Sequence, residues 1–161
     1  MSPAPDRHTI SLTVNGEAVS EDVPARLNLV DFLRGTLCLT GSHVGCEHGV
    51  CGACTIEVDG VSVRSCLMLA VQADGTAVWT IEGLAESGRG ADLRAAFLAR
   101  NALQCGFCTP GMLVSALEYV EAGGTADRSA IREHISGNYC RCTGYQAIVD
   151  AVCDVIEGRA P

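Results

Sequence analysis

Residues 45–55 read Gly45-Cys46-Glu47-His48-Gly49-Val50-Cys51-Gly52-Ala53-Cys54-Thr55. Three cysteines fall in a C-x4-C-x2-C pattern, and Cys66 follows Cys54 after eleven intervening residues. This is the plant-type spacing of a [2Fe–2S] cluster, in which one wrapping loop supplies three thiolates and a later position the fourth. Gly45, Gly49 and Gly52 give the loop access to positive φ and let backbone N–H groups approach the sulfurs. Cys46, Cys51, Cys54 and Cys66 are the candidate ligands of a first metal site. The spacing matches no common zinc ribbon. Cys46-Glu47-His48 holds half of a Rieske pattern, but Cys66 is followed by Leu67, Met68 and Leu69, so the other half is missing and His48 is expected to be an exposed loop residue.

The flanking sequence reads as a small sheet built to carry this loop. Ile10, Leu12 and Val14 alternate over residues 9–14, Asn15-Gly16 supplies a two-residue turn, and residues 17–23 return with Val19 and Val23. Leu29, Val30, Leu33 and Leu37 recur at helical spacing, predicting a helix over about residues 29–36. After the loop, Ile56 and Val58 lead to Asp59-Gly60, and Val61 and Val63 return toward Cys66 as a second hairpin; residues 78–81 predict a last strand. Hairpin, helix, hairpin, strand is the order of a β-grasp domain as found in plant-type ferredoxins.

From residue 82 to 90 the composition turns to Gly, Glu, Ser and Arg, which reads as a linker. Beyond it strand signals stop and helical periodicity takes over: residues 92–100, 112–120, 127–135 and 145–156 predict short amphipathic helices joined by short loops. The expected class is α+β, a β-grasp domain at 1–81 followed by an all-α four-helix bundle at 91–161. Cys105-Gly106-Phe107-Cys108-Thr109-Pro110-Gly111 lies between the first two predicted helices, and Cys140-Arg141-Cys142-Thr143-Gly144-Tyr145 between the last two. Each loop carries a threonine where an N-cap belongs, and Pro110 suits a first helical position. Both cysteine pairs thus precede helix N-termini, whose dipoles favour thiolates. Spacing alone leaves either structural zinc or a second iron–sulfur cluster open at Cys105, Cys108, Cys140 and Cys142. Cys38 and Cys153 fall outside both sets and are expected as small apolar core residues. Glu118, Glu121 and Arg132 read as solvated helix faces.

Hydrophobic residues at 48% of the chain permit a core, and aromatics at 4% leave it mostly aliphatic. The formal charge of -8, with every basic residue an arginine, argues against nucleic acid as a partner. The first residues show no basic segment, apolar run or twin arginine, and no apolar run approaches a membrane span. A cytoplasmic location is therefore expected, where ten clustered cysteines read as metal ligands and not as disulfides.

With both loops in view, residues 8–157 resemble the small iron–sulfur subunit of the xanthine oxidase family of molybdenum hydroxylases. The resemblance rests on Gly45-Cys46, Cys51-Gly52-Ala53-Cys54-Thr55, Gln104 to Gly111, and Cys140 to Tyr145, in that order. It implies two [2Fe–2S] clusters and moves the second site from zinc to iron–sulfur. It further implies that electrons come from a molybdopterin, in its cytosine dinucleotide form, on a large subunit, and leave to FAD on a medium subunit within a heterotrimer, single or doubled. Cys105, Cys108, Cys140 and Cys142 would hold the cluster nearer the pterin, with Gln104 and Cys142 beside the pterin itself; Cys46, Cys51, Cys54 and Cys66 would hold the cluster nearer flavin. Against that reading stand a freestanding two-cluster ferredoxin and a zinc-stabilised interaction module. The family's threonine–lysine lead-in is replaced by Ser42-His43-Val44, none of which is a ligand.

Overall fold

The structure is a computed structural model that describes residues 6–160; residues 1–5, scanned above for a leader, lie outside them. Strands β1 (Arg7–Val14) and β2 (Glu17–Pro24) form the first hairpin. Asn15 and Gly16 take φ of 54° and 86°, the left-handed pair that a two-residue turn needs to match strand twist. Asp59 and Gly60 repeat the device, at 50° and 81°, between β3 (Thr55–Val58) and β4 (Val61–Arg64). With β5 (Ala77–Trp79) they make a five-stranded mixed sheet of order β2-β1-β5-β3-β4, in which only β1 and β5 run parallel.

Helix α1 (Leu29–Asp31) begins under an Asn28 cap whose side chain accepts the Asp31 N–H at 2.8 Å. It then widens into a π turn over Phe32–Thr36, with the Leu37 N–H reaching Phe32 O at 3.2 Å. The wider turn brings Phe32 and Leu33 fully into the core beneath the sheet, together with Ile10, Leu12, Val23, Ile56 and Val78.

The expected last strand stops early. Ile81 starts helix α2 (Ile81–Glu86), inside the stretch read as a linker. Asn15 sets the boundary: its side chain accepts the Thr80 N–H at 2.9 Å and donates to the Thr80 hydroxyl at 3.0 Å, drawing the chain out of the sheet at the end of the central strand. The helices α3 (Ala91–Ala99), α4 (Thr109–Glu121), α5 (Arg128–His134) and α6 (Gln146–Ile156) enclose a second core of Leu93, Phe97, Met112, Ile131, Ile148 and Val152. Helix α4 is buried on every side over Gly111–Leu117, because one flank meets the other helices and the other meets β3 and β4. It is the joint on which both cysteine sets are hung. The described residues make an α+β fold, a mixed ferredoxin-like sheet with six α-helices.

Candidate metal centres

In the first set the loop turns back on itself through Glu47, Gly49 and Gly52, which take φ of 57°, 82° and 74°. Gly45 stays out of the left-handed region and serves by lacking bulk, since a Cβ there would lie 3.1 Å from Cys51 Sγ. The Cys51 N–H points at Cys46 Sγ, 3.4 Å away. That bond, with a second from the His48 N–H, lowers the Cys46 thiol to about 6 against a small opposing effect of burial. Burial acts the other way on Cys66 and lifts it to about 11, helped by the neighbouring Cys54 thiol. His48 is exposed, as expected, and its Nδ1 bonds only to Cys46 O at 2.5 Å.

The second set is assembled by two loops. Cys105 and Cys108 lead into α4, where the Met112 N–H meets Cys108 O at 2.9 Å. Cys140 and Cys142 precede α6, and Cys142 Sγ lies 3.6 Å from Cys105 Sγ. Burial lifts Cys108 to about 12, with a further push from the Cys140 sulfur. Cys140 is itself partly buried, yet the Thr143 hydroxyl at 3.1 Å and backbone N–H groups of Thr143 and Cys142 outweigh that and lower it.

Thr143 therefore does not cap α6. It donates to a sulfur and accepts the Tyr145 N–H at 3.1 Å, and Tyr145, at φ 68°, precedes the helix. Nor is Thr109 a cap, for α4 already includes it and Cys108 stands before it. The Tyr145 hydroxyl accepts the Cys140 N–H at 2.8 Å and donates to Asn138 O at 3.1 Å, closing the loop from its far side. Tyr145 belongs to the sequence pattern noted above, but nothing in a linear pattern shows where its hydroxyl lands.

The structure thus brings each predicted quartet together, and within each the sulfurs lie as neighbouring pairs: Cys46 with Cys51, Cys54 with Cys66, Cys105 with Cys142, Cys108 with Cys140. Among the described residues no three metal-binding side chains gather around one point as a mononuclear ion requires. Paired thiols at four positions fit a dinuclear unit carrying two thiolates on each iron. Gln104 Nε2 donates to Cys142 O at 3.0 Å, so these two residues also meet, at an exposed edge.

The two remaining cysteines separate. Cys153 is buried on α6, but Cys38 is exposed, because the turn after the π segment holds it at φ 59° with its side chain outward. The acidic residues of α4 are not a free face either. Glu118 accepts the Ser62 N–H at 2.8 Å, and Glu121 shares Arg89 with Glu57, at 2.7 and 2.9 Å, tying helix to sheet. Arg132 reaches Gln146 Oε1 at 2.7 Å on the surface.

Sequence reading also missed how closely the two sets are joined. His43 stacks on Phe107, centroids 4.7 Å and planes 18° apart, while its Nδ1–H donates to Phe107 O at 2.7 Å. The Tyr139 N–H donates to Cys51 O at 2.9 Å, and Asn138 Nδ2 to Gly52 O at 3.1 Å. A Cβ on Gly52 would meet Gly137 O at 2.5 Å, and one on Gly111 would meet Gly52 O at 2.2 Å. Backbone of the first cysteine loop thus packs directly on Gly111 of α4 and on Gly137, with the Asn138 side chain bonded into the same junction.

Residues 12–85 match the 2Fe-2S iron-sulfur cluster binding domain family and residues 80–153 the [2Fe-2S] binding domain family. Over 151 residues, 92% of this chain and 90% of the relative, the sequence is 56% identical to the caffeine dehydrogenase subunit gamma of Pseudomonas sp. (strain CBB1). It is 52% identical to the nicotine 6-hydroxylase small subunit of Paenarthrobacter nicotinovorans over 95% of this chain and 93% of that one. A chain in the crystal structure of quinoline 2-oxidoreductase from Pseudomonas putida 86 superposes with a TM-score of 0.89 at 46% identity, covering 95% of this chain and 96% of that one. The paired thiols, the two cluster-domain matches and these relatives agree: the chain belongs to the small [2Fe–2S] subunits of the xanthine oxidase family of molybdenum hydroxylases.

Proposed function

We propose that this chain is the electron relay of a cytoplasmic heterotrimer, standing between a large molybdopterin-binding subunit and a medium FAD-binding subunit. When bound, each [2Fe–2S] cluster accepts and returns an electron. The observation that carries the reading is the bond from Tyr139 N–H to Cys51 O at 2.9 Å. Cys51 belongs to one ligand set, and Tyr139 is covalently bonded to Cys140 of the other. One hydrogen bond therefore completes a backbone connection between the two sites.

Cys105, Cys108, Cys140 and Cys142 hold the cluster on the pterin side, and Cys46, Cys51, Cys54 and Cys66 the one on the flavin side. Gln104, oriented by Cys142 O at the exposed edge, faces the pterin. Phe107 and Tyr139, 47% and 56% exposed beside the second set, supply apolar area for the large subunit to cover. A freestanding ferredoxin leaves that exposed apolar area uncovered. Helices α3–α6 form a four-helix bundle, with domains at 1–81 and 91–161 and residues 82–90 between them. Three of the related complexes are named for caffeine, nicotine and quinoline, which makes turnover of nitrogen heterocycles the first activity to assay.

Purification of the native complex with metal counting tests the reading. Larger chains carrying molybdenum and FAD should co-purify, with about four irons and four sulfides per copy of this chain and no zinc. A colourless, zinc-loaded monomer would contradict it.

A further inference from the structure

Arg64 lies between the two ligand sets. It stands two residues before Cys66 at the end of β4, and its guanidinium turns toward the helices. Nη1 donates to the Thr55 hydroxyl at 2.6 Å, next to Cys54, and Nη2 donates to Gly137 O at 2.9 Å, with Asn138 Oδ1 at 3.5 Å. Those partners are deeply placed: Thr55 is 1% and Asn138 2% exposed. Asn138 also holds Gly52 O and accepts the Ser115 hydroxyl at 2.9 Å, so the guanidinium is anchored in one polar network that joins the first cysteine loop, the segment before Cys140 and helix α4. The seat is made for it, because a Cβ on Gly137 would lie 2.7 Å from Nη2.

Every partner of Arg64 is neutral. Among the described residues no carboxylate comes within ion-pair distance of it, whereas Arg89, Arg100 and Arg128 all have one. An inward cation without a counter-ion is costly unless negative charge lies near. Four thiolates and two sulfides leave a [2Fe–2S] unit net negative, and more so when reduced.

Resting on the two-cluster reading above, we propose that Arg64 is a positioning residue whose fixed charge is the shared counter-ion of both clusters. It favours the reduced form of each and so raises both reduction potentials. Net charge and hydrogen bonding are the terms by which a protein sets such potentials. Screening is reduced because Arg64 is half-buried and its partners Thr55 and Asn138 are fully buried.

The test is an EPR-monitored redox titration of the whole complex with variant small subunits. Arg64→Gln should move both couples to more negative values, each by a shift corresponding to about a tenfold change in the reduced-to-oxidised ratio, which is 59 mV for one electron. Arg64→Lys, which retains the charge, should restore both couples most of the way. Gly137→Ala, which pushes the guanidinium out of its seat, should lower both by less. An unmoved couple in Arg64→Gln would overturn the proposal, and so would Arg64→Lys falling as far as Arg64→Gln. Should Arg64→Gln not assemble, unchanged potentials in Gly137→Ala overturn it alone. A wild-type complex lacking two separate couples would instead defeat the two-cluster reading, before any variant is made.

Discussion

Cys46 has its thiol lowered to about 6 by the Cys51 N–H, and burial raises Cys108 to about 12. In the cluster-free chain at pH 7, Cys46 is mostly thiolate and Cys108 is not. Alkylation with iodoacetamide, mapped by peptide mass, should mark Cys46 well before Cys66 or Cys108. Its rate should fall as pH drops through about 6, where the thiolate is protonated. His43 makes a second case at this scale. Its ring stacks on Phe107 and donates to Phe107 O, so His43→Ala removes a clamp between the loops without touching a ligand. Both EPR signals should remain while the magnetic coupling between them changes. The eight ligand candidates were legible from spacing alone, because thiolate geometry restricts which intervals work. His43 was not, since its partner lies 64 residues away and only the fold brings the rings together.

Among the elements, the hairpins followed directly from Asn15-Gly16 and Asp59-Gly60, whose residue types accept the left-handed turn. Helix α2 did not, because its interior glycine and acidic ends look like connector. Gly83 is there for room, a Cβ meeting Asn15 Oδ1 at 2.2 Å. Helix α4 was legible as a helix but not as a joint: Leu113, Ala116 and Leu117 mark one face, whereas every residue from Gly111 to Leu117 is buried. Gly111→Ala should therefore cost more than its surface counterparts, on the order of 1–3 kcal/mol in a thermal melt, since the methyl meets Gly52 O. Phe97→Ala on α3, at 1% exposure, should cost about 3–5 kcal/mol. Between α3 and α6, Arg100 holds the Asp154 carboxyl below its ordinary value. Asp154 thus stabilises the fold above the ordinary carboxylate range and loses that contribution as pH falls through its lowered value. Wild type and Asp154→Asn should differ in melting temperature at pH 7 and converge well below about pH 4.

At the scale of the whole molecule, a sheet core and a helix core are held in one register by α4, by Arg89 between Glu57 and Glu121, and by the Asn138 network. Arg89→Met leaves Glu57 without its partner, and the expected loss is about 1–2 kcal/mol, discounted for partial exposure. That rigidity matters to a relay, because the connection from Cys51 to Cys140 is a single hydrogen bond long. The central claim is that the two sites act in series, with the second set as the inlet. EPR of the complex reduced anaerobically by its own reducing substrate, wild type against Cys142→Ala, tests this most directly. Two signals should appear in wild type; in the variant the first-set signal should still form with dithionite and no longer form with substrate. Survival of both signals in Cys142→Ala, or reduction of the first set by substrate without the second, would contradict the account.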